Sequence, residues 1–168
     1  MTASGGSSVH ASAVLVGDRA VLIRGPSGSG KSRLAFDLIL AGRAGQIPAT
    51  TLVGDDRVHL EAAQGRLTVR PARKLAGLIE IRGLGIRRCD FAEQAVVGLV
   101  VDLSASDAER LPAPSALFAD ISSIIIPRIP VDSAFQALPL VVAALSTRPS
   151  DDCSKGIGNH ISPTIATQ

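Results

Sequence analysis

Eight consecutive residues, Gly25-Pro26-Ser27-Gly28-Ser29-Gly30-Lys31-Ser32, have the types and spacing of a phosphate-binding loop, G-x-x-x-x-G-K-[ST]. Gly25, Gly28 and Gly30 let the backbone approach a phosphate chain with no Cβ in the way. Successive N–H groups and the positive end of a following helix then cradle the anion. Lys31 is suited to reach β- and γ-phosphates, and the Ser32 hydroxyl to bind Mg²⁺. The pattern points to a nucleotide phosphate. It does not choose between a kinase, an ATPase and a GTPase.

Acidic residues follow at a useful distance. Thr51-Leu52-Val53-Gly54-Asp55-Asp56 is an apolar strand ending in two carboxylates, some twenty residues after the loop. A carboxylate there can hold Mg²⁺ or act as a base toward a nucleophile. Gly-Asp-Asp is also good turn chemistry. Further on, Leu78-Ile79-Glu80-Ile81-Arg82-Gly83-Leu84-Gly85-Ile86 sets a Glu and an Arg in an aliphatic stretch. Buried charges are costly unless paired or metal-bound. Strand alternation places Glu80 and Arg82 on one face, as a functional pair or as a half-exposed ion pair. On spacing alone, His10 is a surface or packing residue and Arg110 a solvated loop residue.

The elements that must position these groups are legible from hydrophobic pattern. Residues 9–16 and 19–23 read as a hairpin turned at Gly17-Asp18 and feeding the loop. Leu34, Leu38 and Ala41 recur at helical spacing after Ser32, and Gly42 offers a stop. Residues 58–61 and 67–69 are strand-like, with His59 and Glu61 on a solvated face. Residues 95–103 form a core strand ending near Asp102, followed by a polar loop over 104–114. Residues 121–127 read as another buried strand around Ile124-Ile125-Ile126. Asp132-Ser133 is a candidate cap for a last helix to about Leu145, which Pro139 would kink or divide. Residues 1–8 and 148–168 lack periodicity and read as disordered.

Composition narrows the class. A chain of 168 residues, 46% hydrophobic, forms one globular domain with a sizeable core. Aromatics are only 2% and net charge is +2, which argues against a nucleic-acid partner and against a charged membrane surface. No apolar run is long enough to span a bilayer, and the start has no apolar core of a signal peptide. Cys89 and Cys153 have no metal-ligand spacing and read as free thiols in a reducing cytoplasm.

Taken together, Val9-His10, the phosphate loop, Leu52-Val53-Gly54-Asp55-Asp56 and the residue 78–86 stretch resemble, in order, the bacterial HPr kinase/phosphorylase family. The resemblance covers about residues 9–145 and looks like the catalytic domain alone, a short form. It implies an α/β, P-loop (Walker A) nucleotide-binding core of the HPr kinase/PEP carboxykinase type, β-rich with few helices, over residues 9–147. It implies ATP and Mg²⁺ as cofactors and, as partner, HPr, the phosphocarrier protein of the sugar phosphotransferase system, phosphorylated on a serine. By motif, Gly25, Pro26, Ser27, Gly28, Ser29, Gly30, Lys31 and Ser32 would bind the nucleotide. Ser32 and Glu80 would face the metal. Asp56 would be the base, with Asp55 as fallback. His10 would be the active-site histidine and Arg110 the arginine that meets the transferring phosphoryl group. The family's basic loop before the last helix, used for dephosphorylation, is reduced here to Arg128. The family's C-terminal helices are short or absent, and a homo-oligomer is an option the resemblance carries. Two other readings stay open: a P-loop phosphotransferase or NTPase on a small molecule, and an ATP-sensing module without turnover.

Overall fold

In the computed structural model, which describes residues 6–150, the chain folds as a strand-rich α/β structure with eleven strands and two α-helices. The strands are β1 (Ser7–Val9), β2 (Ser12–Val16), β3 (Arg19–Arg24), β4 (Thr50–Gly54), β5 (Val58–Ala63), β6 (Arg66–Pro71), β7 (Leu78–Ile81), β8 (Gly85–Arg88), β9 (Ala95–Leu103), β10 (Phe118–Ile121) and β11 (Ile124–Val131). The helices are α1 (Lys31–Arg43) and α2 (Ala137–Ser146). Nine strands make one sheet in the order β1-β5-β6-β9-β3-β2-β4, with β11 added to β9 and β10 to β11. Strands β7 and β8 form a separate hairpin.

The centre of the sheet is parallel. Strand β9 runs parallel to β3, with Arg24 opposite Asp102, and parallel to β11, with Val131 opposite Leu103. Loops leaving the carboxyl ends of parallel strands are where open α/β sheets place their ligands. The loop after β3 carries the Gly25–Ser32 pattern read above as a candidate phosphate loop. Central strands are buried on both faces, as parallel strands must be. On β3, Val21 and Ile23 enter one core with Leu34, Leu38 and Ile39 of α1 and Val141 of α2. Ala20 and Leu22 enter a second core with Val53, Val58, Leu67, Val69 and Val100.

Helix α1 follows the phosphate loop directly and lays Leu34, Ala35, Leu38, Ile39 and Ala41 on the sheet. Gly42 does not stop it. The helix runs on to Arg43, and a Cβ on Gly42 would lie 2.7 Å from the Thr50 hydroxyl and 2.8 Å from its Cβ. Glycine is there because helix and strand touch.

Several expected elements are corrected. The strand expected over residues 9–16 is interrupted at His10 and Ala11, because Val9 pairs with Val58 of β5 while Ser12 pairs with Ile23 of β3. Ser7 and Ser8, read as part of a disordered start, pair with Leu60 and His59. Residues 1–5 and 151–168, and with them Cys153, lie outside the described residues. The 78–86 stretch is a hairpin rather than one strand: it turns at Arg82-Gly83-Leu84, Ile79 of β7 enters the core, and all of β8 is exposed. Glu80 and Arg82 therefore meet solvent and form no ion pair with each other. The 121–127 strand is two strands. Ser122 and Ser123 adopt φ of 53° and 65°, a two-residue hairpin turn. Asp132 caps a turn, accepting from the Ala134 N–H at 2.7 Å, and α2 begins later, at Ala137. Pro139 falls in the first turn of α2, where N–H groups lack helical partners anyway, so it neither kinks nor divides the helix.

Candidate active site

The phosphate loop joins β3 to α1 with glycines at Gly25, Gly28 and Gly30 in positive φ (154°, 78° and 96°). A side chain at Gly25 would strike the Ser29 hydroxyl at 2.6 Å, whereas Gly28 and Gly30 face open space. Lys31 is only 6% exposed. Its ammonium donates to the Gly25 and Pro26 carbonyls at 2.9 and 3.0 Å, folding over the loop. Burial pushes its pKa down, while Asp55 and Asp56 act to raise it. Ser29 Oγ is buried without a hydrogen-bond partner.

The acidic pair sits where β4 ends. Asp55 is 3% exposed. Its Oδ1 accepts from Ser12 Oγ at 2.6 Å and its Oδ2 from the Glu80 N–H at 3.1 Å. Ser32 Oγ lies 2.8 and 2.9 Å from the two oxygens. Asp56, at φ 64°, turns the other way: its side chain is 64% exposed and Oδ1 lies 3.1 Å from His10 Nε2. The Arg57 N–H closes a tight turn on the Asp55 carbonyl at 2.7 Å. Gly-Asp-Asp is thus a turn that also presents two carboxylates.

Lys31, Ser32, Asp55, Asp56 and His10 therefore converge at the ends of β2, β3 and β4. Glu80 joins them through its main chain, with its side chain exposed. Arg110 is not brought in by any contact. It is exposed in the loop after β9 and, among the described residues, makes no side-chain hydrogen bond or ion pair.

Two features escaped the sequence reading. One is Ser12, a fully buried serine on Asp55. The other is an ion-pair chain behind the loop. Arg24, the residue before Gly25, donates to both oxygens of Asp102 at 2.6 and 2.7 Å. Arg128 donates to Asp102 as well, grips Asp107 through two nitrogens at 2.7 and 2.9 Å, and reaches the Ala116 carbonyl at 2.8 Å. Burial alone would raise the Asp102 carboxyl, but the hydrogen bonds from Arg24 and Arg128 outweigh it and hold its pKa below the usual carboxylate range. Asp107 raises the Arg128 pKa against the opposing effect of burial. Asp102 closing an apolar strand was the only visible signal. Its partners lie 78 and 26 residues away.

The donor set suits a nucleotide with a hard cation. Among the described residues no cluster of three or more His, Cys, Asp or Glu could cage a metal. Mg²⁺ is commonly held by one or two carboxylates with phosphates and waters completing its shell, and the Ser32–Asp55 pair beside an open glycine loop meets that requirement. No helix among the described residues is long and apolar enough to cross a membrane.

The family described as HPr Serine kinase C-terminal domain matches residues 2–109. An HPr kinase/phosphorylase of Enterococcus faecalis is 38% identical over 157 residues, covering 84% of this chain and 48% of the relative. One from Leptothrix cholodnii is 36% identical over 140 residues, covering 74% of this chain and 41% of the relative. The chain thus spans about half the length of these relatives. The solved HPr(Ser) kinase/phosphatase of Coxiella burnetii superposes with a TM-score of 0.65 at 26% identity, covering 83% of this chain and 93% of that one.

Proposed function

This chain belongs to the HPr serine kinase C-terminal domain family, and on that premise we propose that it transfers the γ-phosphoryl group of ATP to a serine of HPr, with Mg²⁺, in the cytoplasm. The observation that carries the reading is the split of the acidic pair: Asp55 turned inward onto Ser32, Asp56 turned outward beside His10.

Each residue then has a task that its surroundings suit. The loop N–H groups and Lys31 bind the phosphates, Lys31 exchanging its two carbonyl partners for phosphate oxygens. Ser32 and Asp55, with Glu80 able to contribute from β7, face the cation, which neutralises charge developing on the transferring group. Asp55 is buried and hydrogen-bonded at both oxygens, so it is poorly placed to take a proton from an incoming protein. Asp56 is exposed and free to meet one. It accepts the seryl proton as the serine oxygen bonds to phosphorus and the bond to the departing ADP oxygen breaks. His10 orients that carboxylate. Arg110, exposed in the loop after β9, is the candidate for the phosphoryl group itself. Arg128 is held by Asp102 and Asp107, which supports a scaffold role and a reaction run chiefly in the kinase direction.

The test is direct. The protein is mixed with Mg-ATP and HPr from the same organism, and HPr is read by intact mass and peptide mapping. One added phosphoryl group on a serine is expected. ATP binding with unmodified HPr would overturn the assignment and favour a small-molecule acceptor or an ATP sensor.

A further inference from the structure

Among the described residues the buried polar or charged side chains are Ser12, Lys31 and Asp55, and they form one cluster. Lys31 and Asp55 have tasks in the proposed reaction. Ser12 has none yet, and packing does not ask for its hydroxyl. It is 0% exposed between Ala11 and Ala13, both also fully buried, where an alanine would fit equally well.

Its position explains it. Ser12 opens β2 opposite Ile23 of β3. Next to it the pairing of β2 with β4 slips: Ala13 faces Gly54 and Val14 faces Leu52, leaving Val53 as an extra residue. Bulges of this kind re-aim a strand end beside a site, and here the end of β4 delivers Asp55 to Ser12 at 2.6 Å. The Glu80 N–H holds the other oxygen. Both oxygens are thereby held from β2 and β7, neither of which belongs to the phosphate loop. Ser32 has a single proton to give, and it can turn toward a ligand without loosening the carboxylate.

We infer that Ser12 is a positioning residue: through its 2.6 Å hydrogen bond it fixes the Asp55 carboxylate for the metal–nucleotide complex, independently of Ser32. This rests on the reading of Asp55 and Ser32 as the cation side of the site. A hydrogen bond to a charged group is stronger than one between neutral groups, so its loss should be visible in cation-dependent binding.

The experiment is calorimetric titration of the full chain with a non-hydrolysable ATP analogue, once in EDTA and once with Mg²⁺. Ser12→Ala should bind the metal-free nucleotide within about twofold of wild type and lose about tenfold in the Mg²⁺ complex. Ser12→Cys, close in volume but a weak donor, should behave like Ser12→Ala. Thermal unfolding of both variants checks that the fold is intact. An unchanged Mg²⁺ dependence would overturn the inference, as would equal losses with and without metal, the mark of a merely structural hydroxyl. Absence of any Mg²⁺ dependence in the wild type would instead remove the cation-side reading itself, and the inference with it.

Discussion

Asp55 and Asp56 are adjacent in the chain, yet their carboxylates point to opposite sides of one turn. Asp55 closes inward on Ser12 and Ser32 at 2.6 and 2.8 Å, and Asp56 faces out to His10 at 3.1 Å. The left-handed backbone of Asp56, φ 64°, reverses the direction in which its side chain leaves. Aspartate tolerates that conformation better than most residues. Two carboxylates with unlike surroundings are suited to unlike tasks.

Lys31→Ala should weaken nucleotide binding by about tenfold to a hundredfold, the range for a lost charge-assisted hydrogen bond. Calorimetric titration measures it. Affinity within twofold of wild type would remove Lys31 from the phosphate site.

His10→Gln should slow transfer about tenfold or more, since a misaligned base forfeits part of the 10²–10⁴-fold that proton transfer contributes. Nucleotide affinity should stay unchanged, because His10 contacts Asp56 and no residue of the phosphate loop. Steady-state rates beside titration separate the two effects. A loss confined to nucleotide binding would contradict the orienting role.

Asp102→Asn should destabilise the fold by about 2–3 kcal/mol, because it removes the charge shared by Arg24 and Arg128. The pH dependence follows from the sign of the shift. Asp102 has a lower pKa folded than unfolded, so its contribution is complete above the unfolded value, about 4. It is lost as pH falls through the folded value. The stability of the wild type to urea should therefore fall below about pH 4, and the Asp102→Asn variant should show a shallower loss. Identical acid profiles would mean that the chain of ion pairs contributes nothing.

Gly42→Leu should cost about 1–3 kcal/mol, the usual penalty for overpacking, because even a Cβ there would lie 2.7 Å from the Thr50 hydroxyl. Chemical denaturation reads it. A neutral substitution would show that α1 can lift off β4.

The phosphate loop, the helix after it and the hairpin before it were legible because each is a local pattern. So was the acidic end of β4. In the 78–86 stretch, strand alternation rightly sets Ile79 inward and Glu80 outward, but the turn at residues 82–84 carries Arg82 away from Glu80 and leaves Leu84 and Ile86 exposed, which the alternation alone does not show. The turn at Ser122-Ser123 was hidden because serine is not the usual residue for two successive positive φ angles. Ser12 looked like one polar residue in an apolar strand. Only the pairing of β2 with β4 brings it to Asp55, 43 positions away. Arg24, Asp102 and Arg128 meet through the order of parallel strands, which no single stretch encodes.

The central claim is the division of labour between the two aspartates, and Asp55→Asn beside Asp56→Asn tests it most directly. For each variant, affinity for the Mg-nucleotide and the rate of phosphoryl transfer to HPr are measured on the same preparation. Asp56→Asn should bind Mg-nucleotide like wild type and lose transfer by about 10²-fold or more. Asp55→Asn should lose the Mg²⁺-dependent part of its nucleotide affinity. The reverse pattern, or a base role for both, would contradict the account.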